Sequence, residues 1–347
     1  MSDSLLLIRA DANAEIGVGH IMRCLGLAQH WQAQGGRVIF IMAQPNPAIE
    51  LRLQQEKFET HILNAHAGEL EDAHRTAQIV RTTGAKILLA DGYHFKQKWF
   101  TALRHEPVKL ALWTDYLQDM FLTVDLVLNQ NPHAQTDEYE EMAPGAKVYT
   151  GLNYLVLRTE FLKNQELRRC RNQGVGKLLI TLGGSDSAND SAKILCALKA
   201  IRGSLPPISL VVGHNNPRFA ELTLEAKALP TLKVEKPQNN FAQYAQGFDL
   251  AITAAGATVW ELGFLGIPTL AYVVAENQVP LASAIESLEM GVNMGWNYNF
   301  NADRLTETLE RLIGNSHQLE ALSRKALATI DGQGGTRAVE ALKNLIK

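Results

Sequence analysis

Short apolar runs alternate with amphipathic stretches along nearly the whole chain. In the first half the strand-like runs are Leu5–Ala10, Arg37–Met42, Thr60–Leu63, Lys86–Ala90, Lys109–Trp113, Leu126–Leu128 and Lys147–Tyr149. Helix-periodic stretches such as Glu69–Arg81 and Gln97–Arg104 fall between them, and another helical segment is expected over Gly26 to Gln34. Buried runs of four to six residues separated by helices indicate a parallel sheet built from βαβ units. The pattern pauses at Leu157–Gln173, a charged stretch of helical propensity followed by Gly174 and Gly176, which reads as a linker. It then resumes with strands expected at Lys177–Leu182, Ile208–Val212, Leu232–Val234, Leu250–Thr253, Thr269–Val273 and Val292–Met294. Helices are expected over Ile194–Ile201, Ala257–Leu265 and Ala282–Leu288, and Leu305–Ile313, His317–Thr329 and Thr336–Ile346 close the chain. The expected organisation is an α/β protein with one Rossmann-like domain over 1–156, a linker over 157–176 and a second Rossmann-like domain over 177–347. Two such halves would face across a cleft, with ligands beyond the carboxyl ends of the strands.

Composition narrows the class. The 347 residues are 46% hydrophobic and 20% charged, with a formal net charge of -3, which argues against nucleic-acid or anionic-membrane partners. Cys24, Cys170 and Cys196 are far apart and odd in number, so neither a disulfide framework nor a CxxC metal pair is expected, and a reducing cytoplasm fits best. The early apolar run Leu5–Ile8 is too short for a signal peptide, and no segment approaches the roughly 18 apolar residues of a spanning helix. A cytoplasmic protein without stable membrane association is the expectation.

Chemistry is expected where strands run into small residues and then helices. The stretch Ile16-Gly17-Val18-Gly19-His20-Ile21-Met22-Arg23 follows the first strand. Its glycines permit a sharp turn and close backbone approach, and a helix start offers free N–H groups. His20 is therefore a candidate acid–base group, although the stretch reads equally as an ordinary turn with a surface histidine. The counterpart in the second half is Leu182-Gly183-Gly184-Ser185-Asp186, where converging N–H groups and a hydroxyl could hold phosphate, or simply cap a turn. In Ala255-Gly256-Ala257-Thr258-Val259-Trp260-Glu261, Thr258 and Glu261 share one helix face, and the carboxylate could accept both hydroxyls of a ribose. A capping box over the same two residues is the plainer reading. Asn277-Gln278 after the strand Thr269–Val273 would suit sugar or phosphate recognition, or stand as ordinary loop residues. Asp91-Gly92-Tyr93-His94, Thr114-Asp115-Tyr116 and Asn129-Gln130-Asn131 end three first-half strands on the rim expected to hold His20, and His94 competes for the role of base.

Walker A, HExxH and GxSxG patterns are absent. The GxG of Gly17 and Gly19 has Met22 where a dinucleotide fingerprint needs its third glycine, and the strand Arg37–Met42 ends without an acidic residue for a ribose. Nicotinamide binding is therefore disfavoured.

The runs RADANAEIGVGHIMRCLGLA, DGYHF, LNQN, GLNYLVLRTEF, TLGGSDSAND, ITAAGATVWELGFLGIPTL and AENQ, in that order, resemble the PseG family. Its members are UDP-2,4-diacetamido-2,4,6-trideoxy-β-L-altropyranose hydrolases of pseudaminic acid biosynthesis. The resemblance implies a GT-B fold related to MurG-type transferases. It implies that His20 is the catalytic base and that Tyr93 and Asn277 are catalytic beside it, Asn277 near the sugar. It places the nucleotide at Gly183, Gly184, Ser185, Asp186, Gly256, Thr258 and Glu261. Arg9, Asp11, Gly17, Gly19, Arg23 and Gln278 from the same stretches, and Asp115 after the fifth strand, are the further substrate contacts expected. Many members carry Asp-Asp after the fifth strand, where this chain has Thr114-Asp115. The implied reaction is attack of water at the anomeric carbon with inversion and loss of UDP. It calls for no cofactor and no metal, and for no partner beyond the UDP-sugar and water. A monomer or weak homo-oligomer is expected. A GT-B glycosyltransferase and a non-catalytic sugar-nucleotide-binding protein are the alternatives.

Overall fold

The computed structural model describes residues 4–12, 17–118, 121–184, 186–201, 203–213, 216–238 and 240–347. The chain forms two compact units, Met1–Thr159 with Gly332–Lys347, and Glu160–Asp331.

In the first unit the elements run β1 (Leu5–Ala10), α1 (Gly19–Ala33), β2 (Arg37–Met42), α2 (Pro47–Gln55), β3 (Glu59–Ile62) and α3 (Leu70–Thr83). They continue with β4 (Ile87–Asp91), α4 (Gln97–Leu103), β5 (Lys109–Trp113), β6 (Leu126–Asn129), α5 (Thr136–Met142) and β7 (Lys147–Thr150). The sheet has the order β3-β2-β1-β4-β5-β6-β7, and its strand pairs are parallel. Alternate residues of β1 serve opposite faces: Leu6 and Ile8 pack with Leu25 and Trp31 of α1, whereas Leu7 packs with Ala77 of α3 and Trp99 of α4. That period of two on a strand buried on both sides is why β1 reads as a continuous apolar run. The strand order reverses between β1 and β4, so the carboxyl ends of these two strands form the ligand-favouring switch point.

A short helix, α6 (Thr159–Leu162), leads into the second unit. There follow β8 (Leu178–Thr181), α7 (Asp190–Ala200), β9 (Ile208–Val211), α8 (Phe219–Ala226), β10 (Leu232–Glu235), α9 (Phe241–Ala245) and β11 (Leu250–Ala254). Next come α10 (Thr258–Phe264), β12 (Thr269–Val273), α11 (Val279–Ser287), β13 (Gly291–Trp296), α12 (Ala302–Gly314) and α13 (Ser316–Thr329). The parallel sheet has the order β10-β9-β8-β11-β12-β13, with its switch point between β8 and β11. The loops after these two strands carry Gly183–Gly184 and Gly256–Thr258.

Three expectations change. The first helix begins at Gly19 rather than Gly26, so His20 and Arg23 lie in its first turns. The last helix, α14 (Gly334–Lys343), was expected in the second domain but belongs to the first unit, where it packs on α1. Its opening glycines make that possible: a Cβ on Gly334 would stand 2.2 Å from the Leu155 carbonyl oxygen, and one on Gly335 2.2 Å from His30 Nε2. The expected linker is not a free tether. Thr159 N donates to Gln29 Oε1 of α1 at 2.9 Å. Arg168 donates to the carbonyls of Phe264, Leu327 and Ile330, and Arg171 N donates to Ser323 Oγ. These bonds build residues 168–171 into the second unit.

Candidate functional site

The first-unit candidates converge at the β1/β4 switch point. Gly17 takes φ +70, a conformation that favours glycine, and α1 starts two residues later. His20, Arg23 and Cys24 fall three and four apart on that helix and so share one face. All three reach Asp91 at the end of β4. Asp91 Oδ1 lies 2.6 Å from His20 Nδ1, Arg23 Nε donates to Asp91 Oδ2 at 2.6 Å, and Cys24 Sγ donates to the same oxygen at 3.3 Å. Arg23 also donates through Nη1 to Asp115 Oδ1. Asp115 in turn accepts Tyr93 Oη at 3.1 Å and Asn131 Nδ2 at 2.9 Å. Asn131 is held in place because its N–H donates to Asn129 Oδ1 at 2.9 Å, while Asn129 Nδ2 donates to Tyr139 Oη at 2.7 Å. The Tyr93 ring meets His20 edge-on at 4.5 Å between centroids, and Arg23 stacks over Trp113 at 5.0 Å.

The electrostatics follow from burial. Asp91 is fully buried and Asp115 nearly so. Burial by itself would raise the Asp91 carboxyl, but the charge of Arg23, the neighbouring His20 and the bonds from both hold it far below the usual carboxylate range. Burial pushes Asp115 upward in the same way, and Arg23 chiefly reverses the shift. The reciprocal holds for Arg23: burial works against its charge, while Asp115 and Asp91 raise its pKa well above the ordinary value. Burial and the adjacent Asp91 push the Cys24 thiol well up, so it remains a protonated donor. Arg23 Nη2 also stands 3.2 Å from His20 Nδ1. A guanidinium only donates, so the shorter contact to an ionised Asp91 sets the tautomer: Nδ1 carries the proton and Nε2 is left as the acceptor.

Arg9 and Asp11, expected among the substrate contacts, belong to a different network. The Arg9 side chain is 0% exposed and donates to both oxygens of Asp72, at 3.1 and 2.6 Å. Its Nη1 lies 2.7 Å from Asp11 Oδ2. Asp72 also accepts Thr76 Oγ1, Trp99 Nε1 and Gly68 N, which ties β1 to α3 and α4. Asp11 Oδ1 accepts Ala43 N at 2.7 Å, and its Oδ2 stands 3.0 Å from His94 Nε2. His94, the rival base, is thereby drawn into this scaffold. Thr114, the departure from the Asp-Asp pattern, donates to the Tyr116 carbonyl at 2.7 Å and shapes the turn that presents Asp115.

In the second unit Gly183 takes φ +85, and both Gly183 and Gly184 are exposed. Ser185 lies outside the described residues. Asp186 spends its carboxylate on the start of α7, accepting Asp190 N at 2.8 Å and Ser191 N at 3.1 Å. Its side chain therefore caps α7. Thr258 opens α10 and Glu261 is buried one turn on, but no side chain caps that helix, so the capping-box alternative does not form. Gln278 Oε1 accepts Val274 N at 3.1 Å and its Nε2 lies 3.7 Å from where a Gly256 Cβ would stand. This joins the two second-unit loops. Asn277 is exposed on a 3-10 turn, Glu276–Gln278. Asp91, which the sequence places on the rim with His20 but gives no role of its own, is the residue on which the first-unit network converges. Among the described residues no group of side chains could hold a metal ion, and no helix is long and apolar enough to cross a membrane.

Two parallel sheets of this order define a GT-B fold, and solved structures agree. Acinetobacter baumannii MurG superposes with a TM-score of 0.70 at 14% identity, covering 98% of this chain and 99% of that one. A Staphylococcus aureus MnaA structure with UDP gives 0.65 at 12% identity, covering 99% and 97%. Anabaena HepE in complex with UDP also gives 0.65 at 12%, covering 98% and 100%. No protein-family model matches the chain. Among curated proteins, the chain resembles the Campylobacter jejuni UDP-2,4-diacetamido-2,4,6-trideoxy-β-L-altropyranose hydrolase, PseG. The two are 26% identical over 294 residues, 80% of this chain and 94% of that protein. The Bacillus subtilis spore coat polysaccharide biosynthesis protein SpsG is 22% identical over 97% of both chains. An uncharacterized Methanocaldococcus jannaschii protein is 24% identical over 79% of this chain, which spans only 56% of that protein.

Proposed function

We propose that the protein hydrolyses a UDP-linked 2,4-diacetamido-2,4,6-trideoxy hexose at its anomeric C–O bond, releasing UDP and the free sugar for pseudaminic acid biosynthesis. The observation that carries the reading is the buried pair of His20 and Asp91, which leaves His20 Nε2 as a proton acceptor at the switch point of the first sheet. Support for the substrate comes from the resemblance to the Campylobacter hydrolase.

In the step itself a water oxygen bonds to the anomeric carbon while the bond from that carbon to the diphosphate oxygen breaks. UDP leaves with the electron pair, and His20 Nε2 takes the proton from the water. Asp91 steadies the imidazolium that forms, at a cost lowered because the carboxylate is already ionised. Tyr93 borders the imidazole and is anchored by Asp115. UDP is a good leaving group, so the step asks little of a general acid.

The test is to incubate the protein with the UDP-sugar and EDTA, without any acceptor, and to measure UDP and free sugar. Their equimolar release is expected. Release only with an added acceptor would make the protein a transferase, UMP would make it a pyrophosphatase, and tight binding without release a binding protein. His20→Asn should retain UDP binding and lose roughly 10²-fold or more in turnover. Near-normal turnover would remove His20 from the mechanism.

A further inference from the structure

Gly213, after β9, lies against the exposed glycine loop that follows β8. A Cβ on Gly213 would stand 2.2 Å from the Gly184 carbonyl oxygen and 2.6 Å from that of Gly183, so only glycine fits there. Arg218 Nη1 is 3.5 Å from the Asp186 carbonyl oxygen. Between these two contacts lies Asn216, only 4% exposed. Its Oδ1 accepts Arg218 N at 2.8 Å, whereas its Nδ2 has no partner among the described residues. A buried amide donor without an acceptor carries a real desolvation cost, which a bound acceptor would relieve. Arg218 is half-buried and pairs with no carboxylate among the described residues. Asp186, whose backbone oxygen it approaches, has both carboxylate oxygens engaged by the N–H groups of α7. A second cation, Lys236 after β10, sits over the ring of Phe219, the first residue of α8, at 4.1 Å.

The geometry points to Arg218 and Asn216 as the side chains that receive the diphosphate of a nucleotide at the Gly183–Gly184 loop. The inference rests on the sugar-nucleotide reading above and assigns it residues which that reading lacked. A guanidinium without a carboxylate partner and a buried N–H donor without an acceptor, both among the described residues, and exposed glycine backbone are the complement of a doubly charged diphosphate, which offers several acceptor oxygens. Asn216 has two jobs here: its oxygen accepts the Arg218 N–H, and its Nδ2 is a donor left over for a ligand oxygen.

The experiment is calorimetric titration of UDP, uridine and inorganic pyrophosphate into the full chain and two variants. Wild type should bind UDP and pyrophosphate, with affinity falling as salt rises. Arg218→Ala should weaken both by roughly tenfold or more and leave uridine unchanged, with Arg218→Lys recovering part of the loss. Asn216→Asp keeps the acceptor for Arg218 N but replaces the free donor with a charge, and should weaken diphosphate binding at least as much. Thermal melts check that each variant folds. Unchanged UDP and pyrophosphate affinity in folded Arg218→Ala would overturn the inference, while UDP release by the wild type would leave the hydrolase reading standing. Failure of the wild type to bind either anion would overturn it too, and the turnover assay then decides the hydrolase reading separately.

Discussion

His20 Nδ1 and Asp91 Oδ1 stand 2.6 Å apart although 71 residues separate them in the chain. The contact joins the first turn of α1 to the carboxyl end of β4, and it decides which imidazole nitrogen can accept a proton. Asp91→Asn keeps the shape but removes the charge that fixes the tautomer. Turnover of the UDP-sugar should fall by about 10²-fold or more with UDP affinity retained, because the substituted amide can turn its oxygen or its nitrogen toward the imidazole. Steady-state kinetics beside a UDP titration check this; a folded variant with normal kcat would break the link between Asp91 and the base.

Arg9 and Asp72 form a buried pair that no solvent reaches. Asp72→Asn takes away the carboxylate that Arg9 grips with two nitrogens and leaves it Asp11 alone, so it should cost about 1–3 kcal/mol of stability. Chemical denaturation should register that loss directly. A change under about 1 kcal/mol would show that the pair is not a scaffold element.

The acid limit of stability follows from the carboxylates. Asp11 is held at about 2: burial would raise it, but the bond with His94, the charge of Arg9 and the bond from Ala43 bring it down. Asp91 and Asp115 are also depressed. Unfolded carboxyls titrate near 4, so below that pH the unfolded chain binds more protons than the folded one. The stabilisation is thus complete at neutral pH and is lost as pH falls from about 4 toward the folded values. Melting temperature should drop steeply in that window; a flat profile between pH 7 and 3 would contradict the assignment.

Gly335 and His30 predict a packing effect at the closing helix. Gly335→Ala would drive its Cβ into the imidazole, whose Nε2–H donates to the Leu157 carbonyl oxygen at 3.2 Å. Overpacking of this kind costs about 1–3 kcal/mol. Burial also lowers the His30 pKa, partly offset by the Leu157 bond, so protonating it opposes folding. Its contribution is present above about pH 6.5 and is lost as pH falls through its lowered folded value. Urea titrations of Gly335→Ala at pH 7.5, and of the parent at pH 7.5 and 5.5, read both effects.

Local pattern carried much of this protein. Runs buried on both faces alternate with helical stretches, and that periodicity is a property of neighbouring residues, so the strands at Leu5–Ala10, Arg37–Met42 and Thr269–Val273 were legible to the residue. The loops after β1, β8 and β11 were legible as well, because small residues between an apolar strand and a helix record where the backbone must turn. Tertiary structure decided which polar groups meet. Arg9 and Arg23 look alike in sequence, yet one is sealed against Asp72 and the other is shared by Asp91 and Asp115. The order of the sheet makes that choice, since it sets β4 beside β1 and so brings Asp91 under His20. The closing helix was equally illegible: its amphipathic pattern specifies an apolar face but not which core receives it. The docking onto α1 is fixed by Gly334 and Gly335 meeting Leu155 and His30, contacts between residues far apart along the chain. A sequence determines by itself what depends on adjacent residues; the pairing of distant charges and the docking of faces exist only once the chain has folded.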